Sequence, residues 1–143
     1  MPVTHRLETL SATIAGLLAT PLGAEVMSAF LFGSHAAGRA HRESDIDIAV
    51  LLRPEFDEKR RFEIRVQLTT ELIAVLHHNE IDLVVLNDLP PLFARSIVLD
   101  GQRVYCADAE ADHAFRRDVQ LRAADLAPFI ERSRRALLAA ITR

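Results

Sequence analysis

The run Asp45-Ile46-Asp47-Ile48-Ala49-Val50-Leu51-Leu52 is apolar enough to lie inside a sheet, yet it opens with two acids two residues apart. Successive side chains of a strand point to opposite faces, so Ile46, Ile48 and Val50 take one face and Asp45, Asp47 and Ala49 the other. Two carboxylates on one face repel each other, and the arrangement is costly unless a cation sits between them. A fold that uses this strand therefore has to leave its acidic beginning within reach of a charged ligand.

The rest of the chain supplies elements to pack around it. Leu7, Leu10, Ile14, Leu17 and Leu18 recur at helical spacing, which predicts an amphipathic helix over about 4–19, ended by Pro21 and Gly23. Met27 to Phe32 reads as a buried strand that stops at Gly33-Ser34, and the small, polar residues 35–43 read as a loop or short helix. After the acidic strand, closed by Arg53-Pro54, a long helix is expected from Phe56 to about His78, with Phe62, Val66, Leu72, Ile73 and Leu76 as inner positions. Ile81 to Leu86 is a third strand, about 92–99 a short helix, and Arg103 to Cys106 a short fourth strand after the turn at Asp100-Gly101. From about 109 onward the pattern is helical, with a break or restart expected at Pro128. This order predicts an α/β (α+β) architecture, a small mixed sheet flanked by helices. It also predicts one domain over 1–143, with a core at about 4–106 and a C-terminal helical segment at about 109–143.

Composition narrows the function. A chain of 143 residues, 50% apolar and 26% charged, buries roughly two-thirds of its unfolded surface and needs no covalent staple. One cysteine, Cys106, excludes a disulfide framework and a zinc ribbon. Seventeen basic residues against twenty acidic ones, a formal charge of −3, do not suit a protein whose main task is to neutralise a phosphate backbone. No apolar run is long enough to span a membrane, and the first residues lack the apolar stretch of a signal peptide, so a reducing, cytoplasmic setting is expected.

The chemistry gathers at Gly33-Ser34, ten residues, and then Asp45-x-Asp47. Mg²⁺ takes hard oxygen ligands and is commonly held by one or two carboxylates together with substrate phosphates. Gly33 lets backbone N–H groups approach a phosphate closely, and the Ser34 hydroxyl can donate to it. Asp82 is a lone acid inside the apolar run Ile81 to Leu86, where a charge is costly unless it is paired or coordinates metal. If its strand lies beside Asp45–Leu52, Asp82 faces the same site, shares the metal and accepts the proton of an attacking hydroxyl.

These residues resemble the signature of the DNA polymerase β-like nucleotidyltransferases: Gly-Ser, a spacer, Asp-x-Asp and a third Asp on a later strand. Size and spacer look like the minimal nucleotidyltransferase group, the antitoxins paired with HEPN-domain toxins. The resemblance runs from the first helix to about Tyr105 and implies ATP with Mg²⁺ and transfer of AMP to a hydroxyl, a tyrosine of the cognate HEPN toxin. Carried onto this chain, Gly33 and Ser34 bind the nucleotide phosphates, Asp45 and Asp47 hold metal, and Asp82 completes the triad. The turn departs from the family pattern at Ala37, where many relatives have Arg. Two rivals remain at this level: a nucleotidyltransferase for a small molecule such as an aminoglycoside, and an antitoxin that silences its partner by binding alone.

Other features read as structural. His77-His78 is expected to be a polar helix end, and Cys106 a small buried side chain. The C-terminal segment mixes arginines with acids, which favours a solvated or partner-facing helix over a nucleic-acid surface. Its apolar positions exceed what one small sheet needs, so part of them is expected to form a patch for a partner or a second copy.

Overall fold

The computed structural model describes residues 3–33, 45–78 and 80–142, with side chains from Leu7 onward in the first helix. The elements in order are α1 (Val3–Leu18), β1 (Val26–Phe32), β2 (Ile46–Leu52), α2 (Glu58–Leu76), β3 (Ile81–Val85), α3 (Pro91–Asp100), β4 (Gln102–Cys106) and α4 (Ala109–Ile141). The strands form one mixed sheet in the order β3-β2-β1-β4. β1 runs antiparallel to both β2 and β4, while β2 and β3, joined through α2, are parallel. This is the expected α/β architecture. The loop or short helix expected at 35–43 lies outside the described residues.

Alternation along the strands divides the core in two. Ile46, Ile48, Val50 and Leu52 of β2 join Leu83 and Val85 of β3 in one cluster, covered by Leu10, Ile14 and Leu18 of α1 and Leu68 and Leu72 of α2. Ala49 and Leu51 point the other way, into a second cluster with Phe30, Ala94, Ile97, Val98 and Val119, supplied by β1, α3 and α4. Both faces of β2 are therefore buried over most of its length, and only its beginning is left for charge.

Caps and side-chain ties set the helices. The Asp57 carboxylate accepts from the Arg60 N–H at 2.8 Å to start α2, and Asp108 accepts from Ala111 at 3.0 Å to start α4. Arg61 donates to Asp88 at 2.7 Å and to the Phe56 carbonyl at 2.6 Å, and Arg65 donates to the Leu83 carbonyl at 2.8 Å, which ties α2 to β3 and the turn beyond it. Asn87 closes the sheet by acting as a short length of strand: its Oδ1 accepts from the Leu52 N–H and its Nδ2 donates to the Leu52 carbonyl, both at 2.9 Å.

Three expectations change. The buried stripe of α2 is Ile64, Leu68 and Leu72, while Phe62 and Val66 are 62% and 49% exposed. Both sets are spaced by four, but they lie about 200° apart around the helix, and the packing of α2 on β3 chooses between them. α4 runs through Pro128 without a break. Pro128 and Ala124 are both exposed, so water serves the Ala124 carbonyl that loses its intrahelical partner. Cys106 is half-buried at the end of β4. Asp112 is 1% exposed, with Arg103 donating to it at 2.8 Å and Arg116 3.2 Å away. No helix among the described residues is long and apolar enough to cross a membrane.

Leu68→Ala should cost about 2–5 kcal/mol in urea unfolding, whereas Phe62→Ala should stay within about 0.5 kcal/mol of wild type. Equal losses would contradict the assigned face of α2.

Candidate active site

The sheet brings the predicted acids together by register. β2 and β3 pair in parallel with Asp47 opposite Asp82, and β1 pairs with β2 so that Phe32 lies opposite Asp47. Cα partners across strands share a face, so Phe32, Asp47 and Asp82 form a row on the side that carries α3 and α4. Asp45 stands one residue before β2, exposed, at the same end of the sheet. Asp47 itself is partly buried.

The charges of Asp82 and Asp45 both bear on Asp47. The Asp47 carboxyl is held above the ordinary carboxylate range, first by desolvation, then by the charge of Asp82, then by that of Asp45. A divalent cation among these oxygens would reverse the repulsion, and an all-carboxylate donor set matches the hard-ligand preference of Mg²⁺. Among the described residues no three His, Cys, Asp or Glu side chains already stand at chelating distance. Exposed Asp45 and Asp82 would have to turn toward the ion.

Gly33 ends β1 at the same place. Its φ of +73° lies in the left-handed region, and a Cβ there would collide with Asp47 Oδ2. Glycine at 33 therefore serves two needs: it turns the chain away from β1 and leaves room for the Asp47 carboxylate. Ser34 lies outside the described residues, as do His35, Ala37, Arg39 and Arg42.

The sequence reading missed the aromatic neighbours. Phe32 reads there only as the end of an apolar strand, but it flanks Asp47 and meets Phe93 of α3 edge-to-face, with ring centroids 6.3 Å apart. The available signal was its place immediately before Gly33. A cavity of about 770 Å³ lies at the opposite end of the sheet, among Thr20, Val26, Arg53, Tyr105 and Asp108, and holds none of the site acids.

The raised proton affinity of Asp47 has a definite sign in stability. Its contribution is present at low pH, where the group is neutral, and is lost as pH rises through the elevated folded-state value. In metal-free buffer Asp47→Asn should therefore melt higher than wild type at pH 7, and the gap should close below the ordinary carboxylate range. Gly33→Ala should unfold about 1–2 kcal/mol more easily from its left-handed backbone alone. It should also displace the Asp47 carboxylate, which a comparison of metal-binding titrations with wild type would register.

Over 76 residues the chain is 34% identical to the protein adenylyltransferase MntA of Shewanella oneidensis. That stretch is 53% of this chain and 51% of MntA, so the match spans about half the length of the curated relative. A crystal structure of a toxin–antitoxin with AMP-PNP contains a chain that superposes with a TM-score of 0.67 at 25% identity, covering 93% of this chain and 98% of that one. A complex of tri-AMPylated Shewanella oneidensis HEPN toxin with MNT antitoxin gives a TM-score of 0.63 over 96% of this chain and 99% of the other, a likeness of fold at 20% identity. The family model "Polymerase beta, Nucleotidyltransferase" matches residues 18–110, which include Gly33, Asp45, Asp47 and Asp82, and the chain belongs to that family.

Proposed function

We propose that this chain is a Mg²⁺-dependent adenylyltransferase that moves AMP from ATP to a tyrosine hydroxyl of a cognate HEPN-domain toxin, and so acts as its antitoxin in the cytoplasm. The observation that supports this most is the pairing of Asp47 with Asp82, with Gly33 packed against the Asp47 carboxylate, inside a stretch that matches the nucleotidyltransferase family. The MntA relative is named a protein adenylyltransferase, and the neighbouring folds come from toxin–antitoxin complexes, one of them with AMP-PNP.

In this reading the backbone at Gly33 and the hydroxyl of Ser34 hold the ATP phosphates. Asp45, Asp47 and Asp82 would hold Mg²⁺, whose chemistry is to neutralise charge on the phosphates and on the leaving pyrophosphate. Asp82 also takes the proton of the acceptor hydroxyl. The hydroxyl oxygen bonds to the α-phosphorus, the bond from that phosphorus to the bridging oxygen of the β-phosphate breaks, and pyrophosphate departs. Little covalent chemistry falls to the protein, so positioning and charge neutralisation supply most of the rate.

Intact mass spectrometry of the toxin tests the proposal. Co-expressed with wild type, the toxin should gain one or more AMP units, and with Asp45→Ala/Asp47→Ala it should gain none, a loss of at least about a hundredfold in transfer. An unmodified toxin that is still silenced by wild type would replace transfer with occlusion.

A further inference from the structure

α4 carries one apolar stripe along its whole length, but the domain uses only the first half. Phe115 and Val119 join the cluster on the sheet, and Ala123, one turn further on, is also buried, the latter two at 4% and 3% exposure. The stripe then continues at spacings of three, four and seven residues through Leu126, Ile130, Leu137 and Ile141, and exposure rises to 37%, 38%, 63% and 68%. Ser133 fills the one missing position on the same line. Phe129 and Leu138 flank it at 62% and 51% exposure. From Ala123 to Ile141 the helix reaches about 27 Å beyond its last buried contact. The exposed side chains make a patch on the order of 500 Å², the upper end of what a monomer leaves in water and most of one side of a standard interface.

Charge identifies the occupant. Over 126–142 the helix carries Arg132, Arg134 and Arg135 against Glu131 alone, in a chain whose formal charge is −3. Arg135 pairs with Glu131 at 3.3 Å, while Arg132 and Arg134 have no ion pair among the described residues. A second copy laid antiparallel along the same stripe would set Ile130 against Leu137 and bring the arginines of both helices to one level. Like charges so placed oppose self-association. A groove lined by apolar side chains and rimmed by Asp and Glu satisfies both the stripe and the arginines.

We propose that the projecting half of α4 is the docking arm for the protein that receives AMP, and that this acceptor presents an acid-rimmed apolar groove. The inference rests on the transfer reading above and deepens it: the acids of the sheet act on phosphates, and α4 holds the acceptor. Because the first half of α4 packs on the same face of the sheet as Asp47 and Asp82, docking on the second half fixes the acceptor relative to the site.

The test uses the full chain and the cognate HEPN-domain toxin. Leu137→Asp and, separately, Arg132→Glu/Arg134→Glu alter exposed positions only. Each should weaken toxin binding at least tenfold in calorimetric titration and raise the KM for toxin, with ATP binding and melting temperature unchanged. Toxin binding and KM equal to wild type in Leu137→Asp would overturn the docking arm and leave the transfer reading standing. Wild type that binds toxin through α4 but transfers no AMP would do the reverse. Wild type that binds no toxin would overturn the arm. So would sedimentation equilibrium that finds a wild-type dimer abolished by Leu137→Asp, because the patch would then belong to a second copy.

Discussion

The parallel pairing of β2 with β3 sets Asp47 directly opposite Asp82, and this costs the protein something wherever no cation is bound. The same register that seals Ile48 against Leu83 and Val50 against Val85 on one face forces the two carboxylates together on the other. Relief of the repulsion by slipping one strand would carry the whole apolar set of that strand to the wrong face. The strain at the site is therefore held in place by the core beneath it.

Gly33 belongs to the same constraint. It lets β1 end against Asp47 without a side chain between them, so the carboxylate is fixed by packing on one side and by repulsion on the other. Phe32 and Phe93 add an apolar wall along the row, in keeping with desolvation as the leading cause of the Asp47 shift. The row of acids thus rests on a geometry that three strands share, and no single loop among the described residues defines it.

Much of this was legible in the residues. Alternation along 45–52 assigned Asp47 to the face opposite Ile46 and Ile48, and the lone Asp82 in an apolar run marked a strand neighbour. What alternation does not contain is register: nothing in the sequence says that Asp82 stands opposite Asp47 and not one residue away. The inner stripe of α2 is read correctly at Leu72 and Leu76 but not at Phe62 and Val66, because Phe62–Val66 and Ile64–Leu68 obey the same spacing and only tertiary packing tells them apart. The burial of Asp112 is not legible either, because its partners Arg103 and Arg116 come from two elements. Pro128 was misread because the rule against proline inside a helix weakens where the orphaned carbonyl can reach water.

The two halves of α4 answer to different selective pressures. Val119 and Ala123 are buried and so confined to side chains of nearly their present volume, Val119 within the cluster that packs on the sheet. The apolar side chains from Leu126 to Ile141 are 37% to 68% exposed, so the fold constrains their chemistry far less. One surface of one helix can therefore change its chemistry between generations while the sheet and the row of acids it carries pass down unaltered.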